Sequence, residues 1–169
     1  MAYSQSNYPT KQVTFILTQA PGGANDIVYG NGYYATAGGQ QSSVGYYSST
    51  LTSWSSFSTG LTSGYHFGIS YSADVGWLAC GYNGGVSVGS KTSPTSWTTR
   101  ATGATNNLYG ISYGAGLYVA TTTTTESVTS TDGTTWTKRT TPAGMYKLRY
   151  TNGYFVGIPA SGATLYIST

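Results

Sequence analysis

The residues that could carry acid–base chemistry are few and scattered. Only four acidic side chains occur in 169 residues, and glycoside hydrolysis needs two carboxyl groups that flank one cleft. We expect Asp26 before a first strand, Asp74 in the turn after one, and Asp132 in a turn between a third and a fourth strand. Such turns are predicted to lie at different ends of a sheet, so the acids are not expected to converge.

The single histidine and the single cysteine do not combine into a reactive site. One His and one remote Cys supply neither a set of metal ligands nor a Cys–His nucleophile pair. Cys80 follows Trp77 and Leu78, which predicts a buried thiol in a strand. His66 is expected to be a loop residue that makes one hydrogen bond. The absence of a convergent titratable set predicts a protein that is not an enzyme and holds no metal or cofactor.

One group of residues at matching positions indicates binding instead. Two positions before the aliphatic residue of each predicted first strand stand Asn25, Phe67, Tyr109 and Tyr146, and His66 adjoins Phe67. In a closed ring of repeats these positions would surround one end of the axis. Aromatic rings there would stack on a sugar, hold a partner peptide or plug the end of the core. The amphipathic character of tyrosine favours the plug.

The elements that must position these residues come from a repeat. Four copies occur of a phrase with an aliphatic residue, a spacer, a tyrosine, a Gly-rich turn and an apolar strand, and their tyrosines are Tyr29, Tyr71, Tyr113 and Tyr150. A period of about 40 residues indicates a repeat architecture. Each copy is predicted to form four short strands, because Thr, Val and aromatic runs alternate with Gly, Asn and Pro.

The last repeat ends after its third strand, at Leu165–Thr169, and the missing strand is predicted at the other end of the chain. Phe15 precedes Tyr29 by 14 residues, which is the interval from Trp136 to Tyr150. A strand around Phe15 would therefore complete the last sheet and cover two open edges.

The expected fold is all-β, a small β-propeller of four four-stranded blades closed by the N-terminal strand. Residues 1–10 are predicted to form an N-terminal arm, and residues 11–169 the propeller domain of four repeats. Two alternatives stay open: an open four-sheet piece that completes a larger ring with a second copy, and a β-sandwich.

Composition narrows the range of partners. Only 7% of residues are charged and 15% are aromatic, with 17 tyrosines, whereas about 25% charged residues is usual. A net charge of +3 with scattered Lys and Arg does not predict nucleic-acid binding. No apolar stretch has the length of a membrane span, so membrane insertion is not expected. The N-terminus has no secretory pattern, so synthesis in a cytoplasm is expected.

A resemblance to a known family follows from one motif. The segment Ser130-Thr131-Asp132-Gly133-Thr134-Thr135-Trp136 resembles the Asp-box, or BNR, repeat of sialidase-like propellers. The longer phrase that begins at Ile111 is similar to repeats of bacteriophage virion and tail proteins. Sialidases of that family use an arginine triad, a Tyr–Glu pair and an Asp. This chain has one Glu and three Arg in all, and the catalytic set cannot be mapped onto them, so a sialidase is not expected.

The resemblance and the composition together predict a non-enzymatic virion structural protein, made in a host cytoplasm. Its place would be a bacteriophage tail or a capsid decoration, where it docks to other virion proteins as an oligomer and recognises a host surface, with a glycan as a candidate ligand. Tyr3 and Tyr8 in the arm are predicted docking residues, because an extended arm can add to a neighbour's sheet. The alternative is a small-propeller lectin, and a degenerate glycosidase is the third hypothesis.

Overall fold

The computed structural model describes residues 23–38, 43–61, 64–162 and 166–168. Within these ranges the regular structure consists of fifteen β-strands and one short 3₁₀ turn at Tyr82–Gly84. The predicted arm, with Tyr3 and Tyr8, and the predicted closing strand around Phe15 lie outside the described residues.

The strands fall into four antiparallel sheets that follow one another along the chain. Blade 1 contains β1 (Ala24–Gly30), β2 (Tyr33–Gly38), β3 (Val44–Ser48) and β4 (Ser55–Ser58). Blade 2 contains β5 (His66–Ser72), β6 (Gly76–Gly81), β7 (Val86–Gly89) and β8 (Trp97–Arg100). Blade 3 contains β9 (Leu108–Gly114), β10 (Leu117–Thr122), β11 (Glu126–Ser130) and β12 (Thr137–Thr140). Blade 4 contains β13 (Met145–Thr151), β14 (Tyr154–Pro159) and, as its third described strand, β15 (Tyr166–Ser168).

The four sheets form a four-bladed β-propeller, as the repeat predicts. The first strands β1, β5, β9 and β13 lie side by side around the axis, each in contact with the next. Arg149 on β13 reaches back to Asp26 on β1 and brings the last blade to the first. The chain therefore forms the ring by itself, and the β-sandwich is excluded.

Tight turns explain why each repeat carries Gly after its tyrosine. Asn31 and Gly32 both adopt positive φ, at 44° and 82°, and Asn152 and Gly153 do the same at 49° and 85°. Two consecutive residues in this region are typical of the type I′ hairpin turn, whose twist matches that of the flanking strands. Blade 2 departs from the pattern with a longer turn that ends at Gly76 (φ 115°).

A β-bulge recurs at the same place in every first strand. In each blade, the register between the first and second strands shifts by one residue near the start of the first strand. The extra residues in the first strands are Asn25, Phe67, Tyr109 and Tyr146. These are the four positions that the sequence sets at one end of the axis. Their equivalence is confirmed, and the bulge explains how their side chains are aimed away from the regular alternation of the strand.

Apolar packing between successive blades forms the core. The aliphatic residue of each later first strand is buried against the preceding blade: Ile69 is 1% exposed, Ile111 0% and Leu148 3%. Beside it, the repeat tyrosine packs on an aromatic residue of the second strand, as Tyr113 does on Tyr118 with ring centroids 4.6 Å apart. Apolar burial at these three interfaces is the main stabilising contribution to the ring.

The three tryptophans at the start of the fourth strands are equivalent but only half-buried. Trp54, Trp97 and Trp136 each donate Nε1–H to the carbonyl oxygen three residues earlier, at 3.2, 2.9 and 3.1 Å. Their equivalence agrees with the repeat. All three are only partly buried, and Trp97 and Trp136 pack against the edges of the core clusters. The fully buried tryptophan is Trp77, at 0% exposure.

Candidate binding site

Aromatic side chains at the bulged positions form a continuous row across the start of the first strands. The rings of Phe67 and Tyr109 stack with centroids 4.3 Å apart, and Tyr109 meets Tyr146 edge-on at 5.3 Å. Phe67 also stacks on Tyr65 at 5.8 Å, and Tyr65 stacks on Tyr82 at 5.5 Å. We call these five residues the aromatic row.

The sequence predicted three members of the row and missed Tyr65 and Tyr82. Tyr65 directly precedes β5, and Tyr82 directly follows β6. The start of a first strand and the end of its antiparallel partner lie at the same end of a blade. Reading the row from strand ends rather than from the repeat phrase would have found both residues.

Asn25 and His66 do not join the row as binding residues. The Asn25 side chain donates Nδ2–H to the carbonyl oxygen of His66 at 2.6 Å, so it joins blade 1 to blade 2. His66 is a strand residue with 0% exposure, not the expected loop residue. Its Nε2 forms a hydrogen bond with the hydroxyl of Thr59, and burial lowers its pKa to about 4. His66 is therefore neutral near pH 7 and out of reach of a surface ligand.

Asp26 lies within β1, not before it as the sequence predicted, and its contacts are structural. Its carboxylate accepts from the backbone N–H of Ile27 at 3.0 Å and of Ile69 at 3.3 Å, and it pairs with the Arg149 guanidinium. Lys147 Nζ lies 4.0 Å from the same carboxylate. Asp26, only 8% exposed, thus joins blades 1, 2 and 4 at the axis.

Lys147 lies below the row and crosses the axis. Its Nζ donates to the carbonyl oxygens of Asn25 at 2.8 Å and of Phe67 at 3.2 Å. The predicted plug at this end of the core is thus partly a lysine ammonium held by backbone carbonyls, and the aromatic rings stand above it. Tyr82 and Tyr146 remain 38% and 48% exposed. The row therefore presents aromatic surface to solvent as well as closing the core.

The acids are engaged in structural contacts, although their predicted separation is partly wrong. A Cβ at Gly133 would come within 2.9 Å of Val75 Cγ1, so the turns that carry Asp74 and Asp132 are neighbours at one end. The Asp132 carboxylate accepts from the amides of Thr134 and Thr135 at 2.8 and 2.7 Å, which lowers its pKa to about 2.

The remaining acids and the thiol also have structural partners. Asp74 accepts from the hydroxyl of Tyr113 at 2.6 Å, and this contact raises the pKa of that tyrosine. Glu126 accepts from the amide of Asn106 and pairs with Lys138, which lower its pKa. Cys80 is a buried free thiol, as predicted, and burial raises its pKa.

In residues 23–38, 43–61, 64–162 and 166–168, no three His, Cys, Asp or Glu side chains come together as a metal site. Over the same part of the chain, no helix has the length and apolarity needed to span a bilayer.

Comparison with known proteins identifies the fold and nothing finer. No protein-family profile matches the chain, and no curated protein sequence matches it. Solved structures do match. The WD40 domain of Neurospora crassa Pan2 superposes with a TM-score of 0.64 at 12% identity, over 80% of this chain and 43% of that one.

Two structures of another propeller protein match as well. YCF48 from Cyanidioschyzon merolae has a TM-score of 0.63 at 13% identity, over 80% of this chain and 48% of that one. YCF48 bound to D1 peptide has a TM-score of 0.61 at 16% identity, over 93% and 52%. This chain is therefore a β-propeller, and it spans about half the length of these neighbours.

Proposed function

We propose that this chain is a non-enzymatic docking subunit whose aromatic row binds a segment of another protein. The observation that carries the proposal is the row itself, five rings in mutual contact with Tyr82 and Tyr146 about two-fifths to one-half exposed. Aromatic residues are enriched at protein interfaces and supply most of the hot spots.

The surroundings of the row also favour a protein partner. The rings are held by stacking and by strand bulges, so little side-chain freedom is lost when a ligand covers them, which favours affinity. Asp26 and Lys147, the charged residues beneath the row, already contact each other or backbone carbonyls. An apolar or aromatic peptide segment is the ligand that such a surface fits.

A structural neighbour supports the same class of ligand. YCF48 is a propeller that binds a peptide of D1. We carry over from it only that a protein with this fold binds a peptide, and not the identity of the peptide or of the binding residues.

The setting that we propose is a virus particle, in a phage tail or on a capsid surface. The support is the low charge, the abundance of Tyr, Ser, Thr and Gly, and the likeness to Asp-box and phage virion repeats. In that setting the partners are other virion proteins. The second candidate is a lectin, because exposed tyrosine faces such as that of Tyr146 also stack on sugars.

A site-specific crosslinker tests the proposal. Benzoylphenylalanine replaces Tyr146 in the row or, as a matched control, Tyr154, which is 43% exposed on β14 outside the row. We expect photocrosslinks to a virion protein from position 146 and none to it from position 154, as measured by mass spectrometry of purified particles.

Other results would redirect or reject the function. Glycan-array binding that disappears in Tyr146→Ala would support the lectin instead. Absence of the chain from purified particles rejects the virion setting, and glycan hydrolysis with turnover rejects the non-enzymatic role.

A further inference from the structure

A cavity of about 350 Å³ lies beside the Tyr82 end of the aromatic row. Two residues of the row, Tyr65 and Tyr82, form part of its wall, and Arg100 at the end of β8 forms another part. The backbone N–H of Tyr82 donates to the carbonyl oxygen of Tyr65 at 3.2 Å, which holds the two tyrosines at the same end of blade 2. The cavity and the row therefore form one continuous surface.

The fold fixes the walls of this cavity. In the 3₁₀ turn Tyr82–Gly84, the backbone N–H of Asn83 donates to Oδ1 of the Asn107 side chain at 3.0 Å. Leu61, which also lines the cavity, lies so close to Gly85 that an added Cβ there would be 3.0 Å from Leu61 Cδ2. The shape of the cavity is thus set by hydrogen-bonded turns and close packing, and a preformed site favours affinity because little has to be ordered on binding.

Arg100 gives the cavity a positive charge. It is the one charged residue among the described residues that line the cavity. Its Nη1–H donates to the carbonyl oxygen of Thr99 at 3.3 Å, and its Nε is inaccessible to solvent and has no hydrogen-bond partner. In the part of the chain that the structure describes, no carboxylate lies within ion-pair distance of this guanidinium. A charged donor that is partly buried and lacks an acceptor costs free energy, which an anionic group in the cavity would recover.

The two other arginines have different environments. Arg149 pairs with Asp26 across the seam between blades 4 and 1. Arg139, on β12 of blade 3, is exposed and therefore solvated. Arg100 alone among the three is half-buried without a counter-charge from the described residues. An acidic ligand group is what this position lacks.

We infer that the peptide segment bound by the aromatic row carries an Asp or Glu residue whose carboxylate binds Arg100 in this cavity. The inference rests on the proposed function, since Tyr65 and Tyr82 belong to both surfaces. A guanidinium presents a planar fork of N–H groups that matches the oxygens of a carboxylate. The acid at the Tyr82 end also fixes the direction in which the segment lies, with its apolar or aromatic part toward Tyr146.

Selection from a displayed library of random dodecapeptides tests this preference. The parent protein, Arg100→Gln and Arg139→Gln are each immobilised, and the selected peptides are sequenced. In peptides selected by the parent and by Arg139→Gln, we expect Asp and Glu to be enriched at a constant spacing from an aromatic residue. Peptides selected by Arg100→Gln should lack this enrichment. Both substitutions remove one positive charge, so Arg139→Gln controls for the net charge of the protein.

Fluorescence anisotropy with one selected peptide measures the size of the effect. Replacing the acidic residue of the peptide by the matching amide should weaken binding to the parent about tenfold or more. The same replacement should change binding to Arg100→Gln by less than about twofold, and Arg100→Lys should keep part of the discrimination, because it keeps the charge without the fork. Tyr146→Ala should weaken the acidic and the amide peptide equally, since it removes a contact of the row only.

The possible failures are distinguishable. Peptides that bind with no acidic preference and lose affinity in Tyr146→Ala would leave the proposed function intact and overturn this inference. If no peptide of the library binds the parent, the proposed function fails and the inference fails with it. A glucuronate-bearing oligosaccharide that binds the parent but not Arg100→Gln, where no peptide does, would assign the cavity to an anionic glycan and also overturn the inference. The comparison of acidic and amide peptides on the parent needs no variant, so it decides the question even if Arg100→Gln does not fold.

Discussion

The interface between blades 2 and 3 and the seam between blades 4 and 1 use the same strand positions in different ways. At the interface, Ile111 of blade 3 is 0% exposed, and a Cβ added to Gly68 of blade 2 would lie 3.2 Å from Ile111 N. At the seam, Ile27 occupies the matching position and is 51% exposed, and the preceding residue is Asp26.

The charges at the seam stand where the other blades have glycine. Counted back from the aliphatic residue, the equivalent positions hold Asp26, Gly68, Gly110 and Lys147. Glycine allows first strands to approach closely, because a Cβ at Gly68 would lie within 3.2 Å of backbone atoms of blade 3. Opposite charges on blades 1 and 4 bridge a wider gap instead. A repeated sequence therefore does not imply repeated interfaces.

The largest expected effect compares the two matched isoleucines. Ile111→Ala should lower the free energy of unfolding by about 2–5 kcal/mol, because it leaves a cavity in a closed core. Ile27→Ala should lower it by less than about 1 kcal/mol, since half of that side chain already contacts solvent. Chemical denaturation of both variants measures the difference. Equal losses would mean that the seam is as tightly packed in solution as the other interfaces.

A smaller effect is the pH dependence of folding stability that His66 causes at the interface between blades 1 and 2. His66 joins blade 2 to Thr59 of blade 1, and burial lowers its pKa from 6.5 to about 4. Between those values the unfolded chain binds more protons than the folded one, so stability decreases as the pH falls from 6.5 to 4. The loss should approach about 3 kcal/mol.

The matched variant for this effect is His66→Gln, which keeps a hydrogen-bonding group without the titration. Its free energy of unfolding should vary less between pH 6.5 and 4 than that of the parent. Glu126 and Asp132, whose pKa values are lowered, begin to lose their contributions as the pH falls through the ordinary carboxyl range, but this loss is the same in parent and variant and cancels in the comparison. An unchanged slope in the variant would mean that His66 titrates normally.

The sequence predicted the features that repeat and missed those that occur once. Periodicity predicted the four blades, the turn at Asn31 and Gly32, and the three bulged aromatic residues of the row, because each of these features recurs at the same position of the repeat. Tyr82 stands outside the repeat phrase, so no spacing argument reaches it.

The burial of His66 and the role of Asp26 depend on partners in other blades. Thr59, Ile69 and Arg149 are 7, 43 and 123 residues away from the groups that they contact. Such contacts follow from the curvature of the ring and from the width of each gap, which composition does not encode. From sequence alone, an isolated acidic residue in a strand is predicted to lie at the surface, and only the contacts with the other blades show its structural role.

The smallest expected effect tests whether charge holds the seam. Asp26→Asn keeps an oxygen acceptor for the amides of Ile27 and Ile69 but removes the charge that faces Arg149 and Lys147. Since the side chains of Arg149 and Lys147 are 50% and 35% exposed, water replaces part of the lost interaction. We therefore expect a loss of about 1–2 kcal/mol. The difference in free energy of unfolding between parent and variant should shrink in about 1 M salt, because salt screens exposed charges.

The surface pair of Glu126 with Lys138, at 3.0 Å, gives the control variant Glu126→Gln, for which we expect a loss in free energy of unfolding of less than about 1 kcal/mol. If Asp26→Asn costs no more than this control, the seam is held by backbone contacts such as that of Lys147 with Asn25, and opposite charge is not what joins the first blade to the last.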